Sequence, residues 1–138
     1  MPVTVLELIP DATRGAAPDT ILVVDDEPTV RHIVRRMLVD EGFDSLEAHS
    51  AEAALGVLER EASRIGVVIT DVIMPELDGC ALGRRIRERW PRTPVLYASA
   101  YTPEELFAQG ICTDDLPFLR KPFTADELIR RVRELRIN

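Results

Sequence analysis

Gly66-Val67-Val68-Ile69-Thr70 is a short β-branched run that ends on Asp71 and breaks into the loop Met74-Pro75-Glu76-Leu77-Asp78-Gly79. Its apolar residues are consecutive rather than alternate, so both faces of the segment must be covered. That pattern belongs to a parallel strand with helices on each side. The flanking sequence repeats the theme. Upstream, Ile21-Leu22-Val23-Val24 precedes Val30, Ile33, Val34, Met37 and Leu38 at helical spacing, and Gly42 closes that helix. A second strand from about Phe43 to Ala48 leads into a helix beginning near Ser50, with Ala51, Ala54, Leu55 and Leu58 on its apolar face.

Downstream, Leu82, Ile86 and Trp90 mark a helix, and Val95-Leu96-Tyr97-Ala98 marks a fourth strand. Thr102-Pro103-Glu104-Glu105 supplies a cap, a proline at the first helical position and a glutamate two residues on, which predicts a short helix ending near Gly110. A fifth strand at about Phe118-Leu119 is followed by a second capping box, Thr124-x-x-Glu127, with Phe123 placed to staple against Leu128. The last helix turns Leu128, Val132 and Leu135 inward and Arg130, Arg131, Arg133 and Arg136 mostly outward. Five β/α units with nearly continuous apolar strands predict an α/β fold: a single doubly wound (βα)5 domain around a five-stranded parallel sheet with right-handed crossovers.

The chain has 138 residues, one domain's worth, and 24 acidic against 17 basic side chains leave it at −7. That excludes a generic basic nucleic-acid binder. Sixteen of the cations are Arg and one is Lys, at position 121. No apolar run approaches the roughly 20 residues that span a bilayer, and the N-terminus lacks the pattern of a secretory signal. A cytoplasmic protein is expected. Residues 1–18, with three prolines and Gly15-Ala16-Ala17, read as an extension or linker, and the domain is expected over 19–138. Cys80 and Cys112 stand 32 residues apart without a C-x-x-C pair or a histidine cluster, so they are expected to be small apolar fillers rather than a disulfide or zinc site.

In open parallel sheets the ligand site lies beyond the carboxyl ends of the strands. Four of the five predicted strands place reactive groups there: Asp25-Asp26, Asp71, Ser99 and Lys121. Each has a plainer reading. One aspartate of the pair could cap the following helix, Asp71 could open a turn, Ser99 could be a local turn residue and Lys121 an exposed lysine. Capping, however, needs only one carboxylate, and three together repel unless a cation neutralises them. Hard oxygen donors favour Mg²⁺. Pro122 holds Lys121 extended and permits a cis peptide. Three carboxylates, a hydroxyl and an ammonium describe a phosphoryl-transfer site, and with no G-x-x-x-x-G-K-[ST] loop the donor is not expected to be a nucleotide held by this chain. A carboxylate can itself be the nucleophile, forming an aspartyl phosphate.

From about Thr20 to Ile137 the chain resembles the receiver domain of two-component response regulators. The resemblance is carried by Asp25-Asp26, by Asp71 followed by Met74-Pro75 and Asp78-Gly79, by Ser99-Ala100, and by Lys121-Pro122-Phe123, in order and at the right intervals. It implies a flavodoxin-like fold and Asp71 as phosphoacceptor, taking its phosphoryl group from a histidine kinase or its phosphotransfer domain. It further implies Mg²⁺ held by Asp26, Asp71 and the backbone carbonyl of Ile73, with Asp25 acting mostly through water. Ser99 and Lys121 would hold the phosphoryl oxygens, with Ser99 moving toward them. The aromatic switch position is Phe118, where many receivers have tyrosine, so any report must come from the ring. Ile73 and Tyr101, two residues after Asp71 and Ser99, are bulky where the family tunes hydrolysis, which suggests a long-lived phosphorylated state. The stretch 101–119 looks like receivers attached to hybrid histidine kinases.

Only 17 residues follow Lys121. The expectation is therefore a switch without an output domain, a monomer or phosphorylation-dependent dimer. It would signal by protein contact on the face of the fourth helix, fifth strand and fifth helix, without nucleic acid or membrane. The alternatives are a pseudo-receiver that never takes phosphate and a Mg²⁺-dependent phosphohydrolase. The latter lacks its usual second carboxylate, because Ile73 stands two residues after Asp71.

Overall fold

The computed structural model describes residues 19–112 and 116–137, so the expected extension at 1–18 lies outside the described residues. The elements run β1 (Thr20–Val24), α1 (Pro28–Asp40), β2 (Asp44–Ala48), α2 (Ala51–Glu61), β3 (Ile65–Asp71), α3 (Gly79–Arg89), β4 (Val95–Ser99), α4 (Pro103–Ala108), β5 (Phe118–Arg120) and α5 (Ala125–Ile137). The strands form one parallel sheet in the order β2-β1-β3-β4-β5.

Local chemistry sets the helix ends. Ser50 accepts from the Ala53 N–H at the start of α2, and Asp78 accepts from the Ala81 N–H at 2.8 Å at the start of α3. Both expected capping boxes form: Thr102 with Glu105, and Thr124 with Glu127. α1 begins instead with Pro28 after an N-cap Glu27 whose side chain makes no cap bond. It ends at Gly42, whose φ of 91° lets its N–H reach the Val39 carbonyl at 2.9 Å while Phe43 N–H reaches Leu38 at 3.0 Å.

The central strands β1, β3 and β4 bury side chains on both faces, as their consecutive apolar residues require, whereas the edge strand β2 leaves Asp44 and Glu47 exposed. Leu22, Val24 and Val68 join Ala54 and Leu58 of α2, Leu82 and Ile86 of α3 and Leu106 of α4 on one side. Ile21, Val23, Val67 and Ile69 join Val34 and Leu38 of α1 and Leu128 and Val132 of α5 on the other, with Phe123 packed against that cluster. At about 25 cal/mol per Å² of apolar area removed from water, these layers supply the main stabilising term.

Two expectations need correction. Cys80 and Cys112 are buried as apolar fillers would be, but they form a disulfide, with Cα atoms 5.8 Å apart. Their separation hid the pairing. It arises because the start of α3 and the segment after α4 cover the same face of the sheet. Arg131, expected mostly outward, is half-buried and donates from Nη1 to the Phe118 carbonyl at 2.8 Å, tying α5 to β5.

Candidate functional site

The strand order reverses between β1 and β3, and the crevice at such a switch point is where open α/β sheets bind ligands. Register then assembles the site. Val24 pairs with Thr70, so Asp25 and Asp71 leave the sheet side by side. Asp71 pairs with Ala98, which puts Ser99 one step further along β4, and Ser99 pairs with Arg120, which puts Lys121 just past the end of β5.

Asp25 is buried, Asp71 half-buried and Asp26 exposed, and one carboxylate oxygen from each lies within 4.8 Å of the others. Lys121 reaches two of the three: its Nζ stands 3.0 Å from Asp25 Oδ2 and 3.4 Å from Asp71 Oδ1. Asp71 Oδ1 also accepts from the Val72 N–H at 3.0 Å. Burial pushes the Asp71 carboxyl above its usual range; the Lys121 charge pulls the other way, and the neighbouring Asp25 adds to the rise. For Lys121, burial lowers the ammonium's pKa, but the Asp25 hydrogen bond and the charges of Asp71 and Asp25 outweigh it and hold the group above the usual lysine value. Pairing thus keeps Lys121 charged without undoing the crowding of the carboxylates.

Other expected residues take definite places. Asp25 Oδ1 accepts from the Glu27 N–H at 2.9 Å, so one aspartate does serve the turn into α1, while Asp26 makes no hydrogen bond or ion pair with the described residues. Ser99 is buried, and its Oγ accepts from the Tyr101 N–H at 3.1 Å, the local turn role. Ile73 and Tyr101 are 41% and 46% exposed. Phe118 is half-buried against the α2–α3 side of the core. The Lys121-Pro122 peptide is cis.

Sequence reading missed three features of the site. Gly79 is required by close approach, because a Cβ there would collide with the Asp71 carbonyl oxygen. Glu76 sits in the loop after Asp71 at φ 69°, in the left-handed region, without any residue-type signal. Arg31 donates to the Asp25 carbonyl at 2.7 Å, and no motif marks it. The Asp78-Gly79 pair was the one available clue to the first of these.

The donor set, three close carboxylates of which one has no partner among the described residues, fits a small hard cation such as Mg²⁺. Asp71 adds a carboxylate within reach of an ammonium. Such a group can be metal-bound, or can attack an electrophile whose developing charge the ammonium offsets.

Comparison with known proteins places these observations. The family model described as response regulator receiver domain matches residues 21–133. The chain is 35% identical over 125 residues to the sensor kinase CckA of Brucella abortus, covering 90% of this chain and 13% of that protein. It is 40% identical over 116 residues to an uncharacterised 14.6 kDa protein of Leptolyngbya boryana, covering 83% of this chain and 87% of that one. The crystal structure of the receiver domain from the hybrid histidine kinase CckA superposes with a TM-score of 0.70 at 34% identity, covering 84% of this chain and 97% of that one.

Proposed function

Since the chain belongs to the response regulator receiver domain family, we propose that it is a phosphoacceptor switch taking a phosphoryl group from the phosphohistidine of a histidine kinase, or of its phosphotransfer domain, onto Asp71. An Asp71 oxygen forms the new bond to phosphorus as the P–N bond to the donor imidazole breaks and the imidazole keeps the electron pair. The observation that carries this reading is the contact of one ammonium, Lys121, with both Asp25 and Asp71 beside Asp26 at the switch point of the sheet.

Asp26, Asp71 and the Ile73 backbone carbonyl would hold Mg²⁺, with Asp25 contributing mostly through water. The cation would supply charge neutralisation for the loose transition state, which needs positioning more than covalent help. Lys121 offsets the charge of the incoming phosphoryl oxygens. Ser99 has to give up the Tyr101 N–H to reach them, and that exchange couples the site to the segment entering α4. The ring of Phe118 then repacks on β5, and the chain signals through the face of α4, β5 and α5 to a protein partner. It acts in the cytoplasm as a monomer or phosphorylation-dependent dimer; no helix among the described residues is long and apolar enough to cross a membrane.

Incubation with Mg²⁺ and a small acyl phosphate separates the alternatives. Stoichiometric labelling that is lost in Asp71→Asn supports the switch. Sustained turnover points to a phosphohydrolase, and no labelling points to a pseudo-receiver.

A further inference from the structure

Arg31, in the first turn of α1, is a full cation with only 15% of its side chain exposed, and it is bonded in two directions. Its Nη1 donates to the backbone carbonyl of Asp25 at 2.7 Å, and its Nε donates to Glu47 Oε1 at 2.7 Å. The other Glu47 oxygen accepts from Arg35 Nη1 at 2.7 Å, and Arg35 Nε is anchored on Ser45 Oγ at 2.9 Å. Glu47 lies on β2, the edge strand, in register with Val23 of β1. The result is a brace from the sheet edge, through Glu47 and Arg31, onto the turn that carries the acidic pair.

The turn is held on both sides of Asp26. The Asp25 carbonyl before it is fixed by Arg31, and the Glu27 N–H after it is fixed by Asp25 Oδ1 at 2.9 Å. Asp25's own N–H donates to the Ala48 carbonyl at 3.2 Å. The Asp26 carboxylate, one of the three close carboxylates, has no hydrogen-bond or ion-pair partner among the described residues. We propose that Arg31 is a positioning residue for the cation site: by clamping the Asp25 carbonyl from the edge strand it fixes the Asp25-Asp26 peptide and aims the Asp26 carboxylate. The proposal rests on the phosphoacceptor reading above. It predicts that geometry, and not the positive charge alone, matters at position 31, because a guanidinium can bond two acceptors in a fixed fork and an ammonium cannot.

The test is Mg²⁺ binding measured by calorimetry, together with the Mg²⁺-dependent rise in melting temperature, on the unphosphorylated protein. Arg31→Lys keeps the charge and is expected to weaken Mg²⁺ binding about tenfold, the scale of loss when a group orienting metal ligands is removed. Glu47→Ala should weaken it as well, whereas Glu47→Gln, which keeps an acceptor for Arg31 Nε, should bind like wild type. A purely structural role would lower the metal-free melting temperature and leave Mg²⁺ affinity unchanged. That result in Arg31→Lys, or equal affinities for Glu47→Ala and Glu47→Gln, overturns the proposal. Wild-type protein that binds no Mg²⁺ overturns the phosphoacceptor reading along with it.

Discussion

Lys121 and Asp71 meet across 50 positions of sequence, Nζ to Oδ1 at 3.4 Å, with 22% and 15% of their side chains exposed. The same ammonium is nearer still to Asp25. One flexible stem therefore serves two carboxylates, and under the proposed phosphoacceptor function it must be free to exchange them for a phosphoryl group. Lysine is a compact point charge suited to that exchange, whereas arginine, used at the other 16 cationic positions, would lock into a bidentate pair. Lys121→Arg is expected to keep the fold and net charge yet impair switching. Amide chemical shifts in α4 and β5 before and after phosphorylation measure this; wild-type shift changes in the variant would contradict it.

Burial and the neighbouring Asp25 disfavour the ionised form of Asp71 in the metal-free site, against the pull of Lys121. A carboxyl whose folded pKa lies above its unfolded value of 3.8 favours folding when protonated, and that contribution is lost as pH rises through the folded pKa. Asp71→Asn should therefore melt about 3–5 °C above wild type at pH 7 without Mg²⁺, roughly the effect of 1 kcal/mol in a domain of this size. The gap should narrow on acidification and on adding Mg²⁺. Equal melting temperatures at pH 7 would remove the claim that the carboxylates are crowded.

Much of this architecture is legible from residue order. Consecutive apolar residues fixed the two-sided strands, and Thr102-x-x-Glu105 and Thr124-x-x-Glu127 marked helix starts that the structure realises bond for bond. Asp25, Asp26, Asp71 and Lys121 were nameable because parallel topology sends every strand's carboxyl end to one side. What escaped depends on distances that only packing sets. Arg31 is one of 16 arginines until α1 docks on β1, and Cys80 meets Cys112 only after α3 and the segment following α4 share a sheet face.

That disulfide closes a loop across 32 positions. A crosslink of this span stabilises by about 2–4 kcal/mol, chiefly by restricting the unfolded chain. Adding dithiothreitol during denaturant unfolding should lower stability by that amount. A Cys80→Ser, Cys112→Ser double variant should show the lower value with or without reductant. Unfolding curves of the wild-type protein that superpose in both conditions would show the pair to be unlinked.

Ile73 and Tyr101, two residues beyond Asp71 and Ser99, present bulky, exposed side chains. We expect them to obstruct the attacking water, so that the isolated protein holds its phosphoryl group for minutes or longer. Replacing both with alanine should shorten the lifetime. A half-life of seconds in the unaltered protein would refute the obstruction.

The central claim is that Asp71 itself carries the phosphoryl group, and it is tested by locating the label. After reaction with Mg²⁺ and a small acyl phosphate, borohydride reduces an aspartyl phosphate to homoserine, which peptide mass spectrometry places by residue. The account predicts homoserine at position 71 and nowhere else. Homoserine at 25 or 26, phosphate retained on Ser99, or an unchanged Asp71 would contradict it.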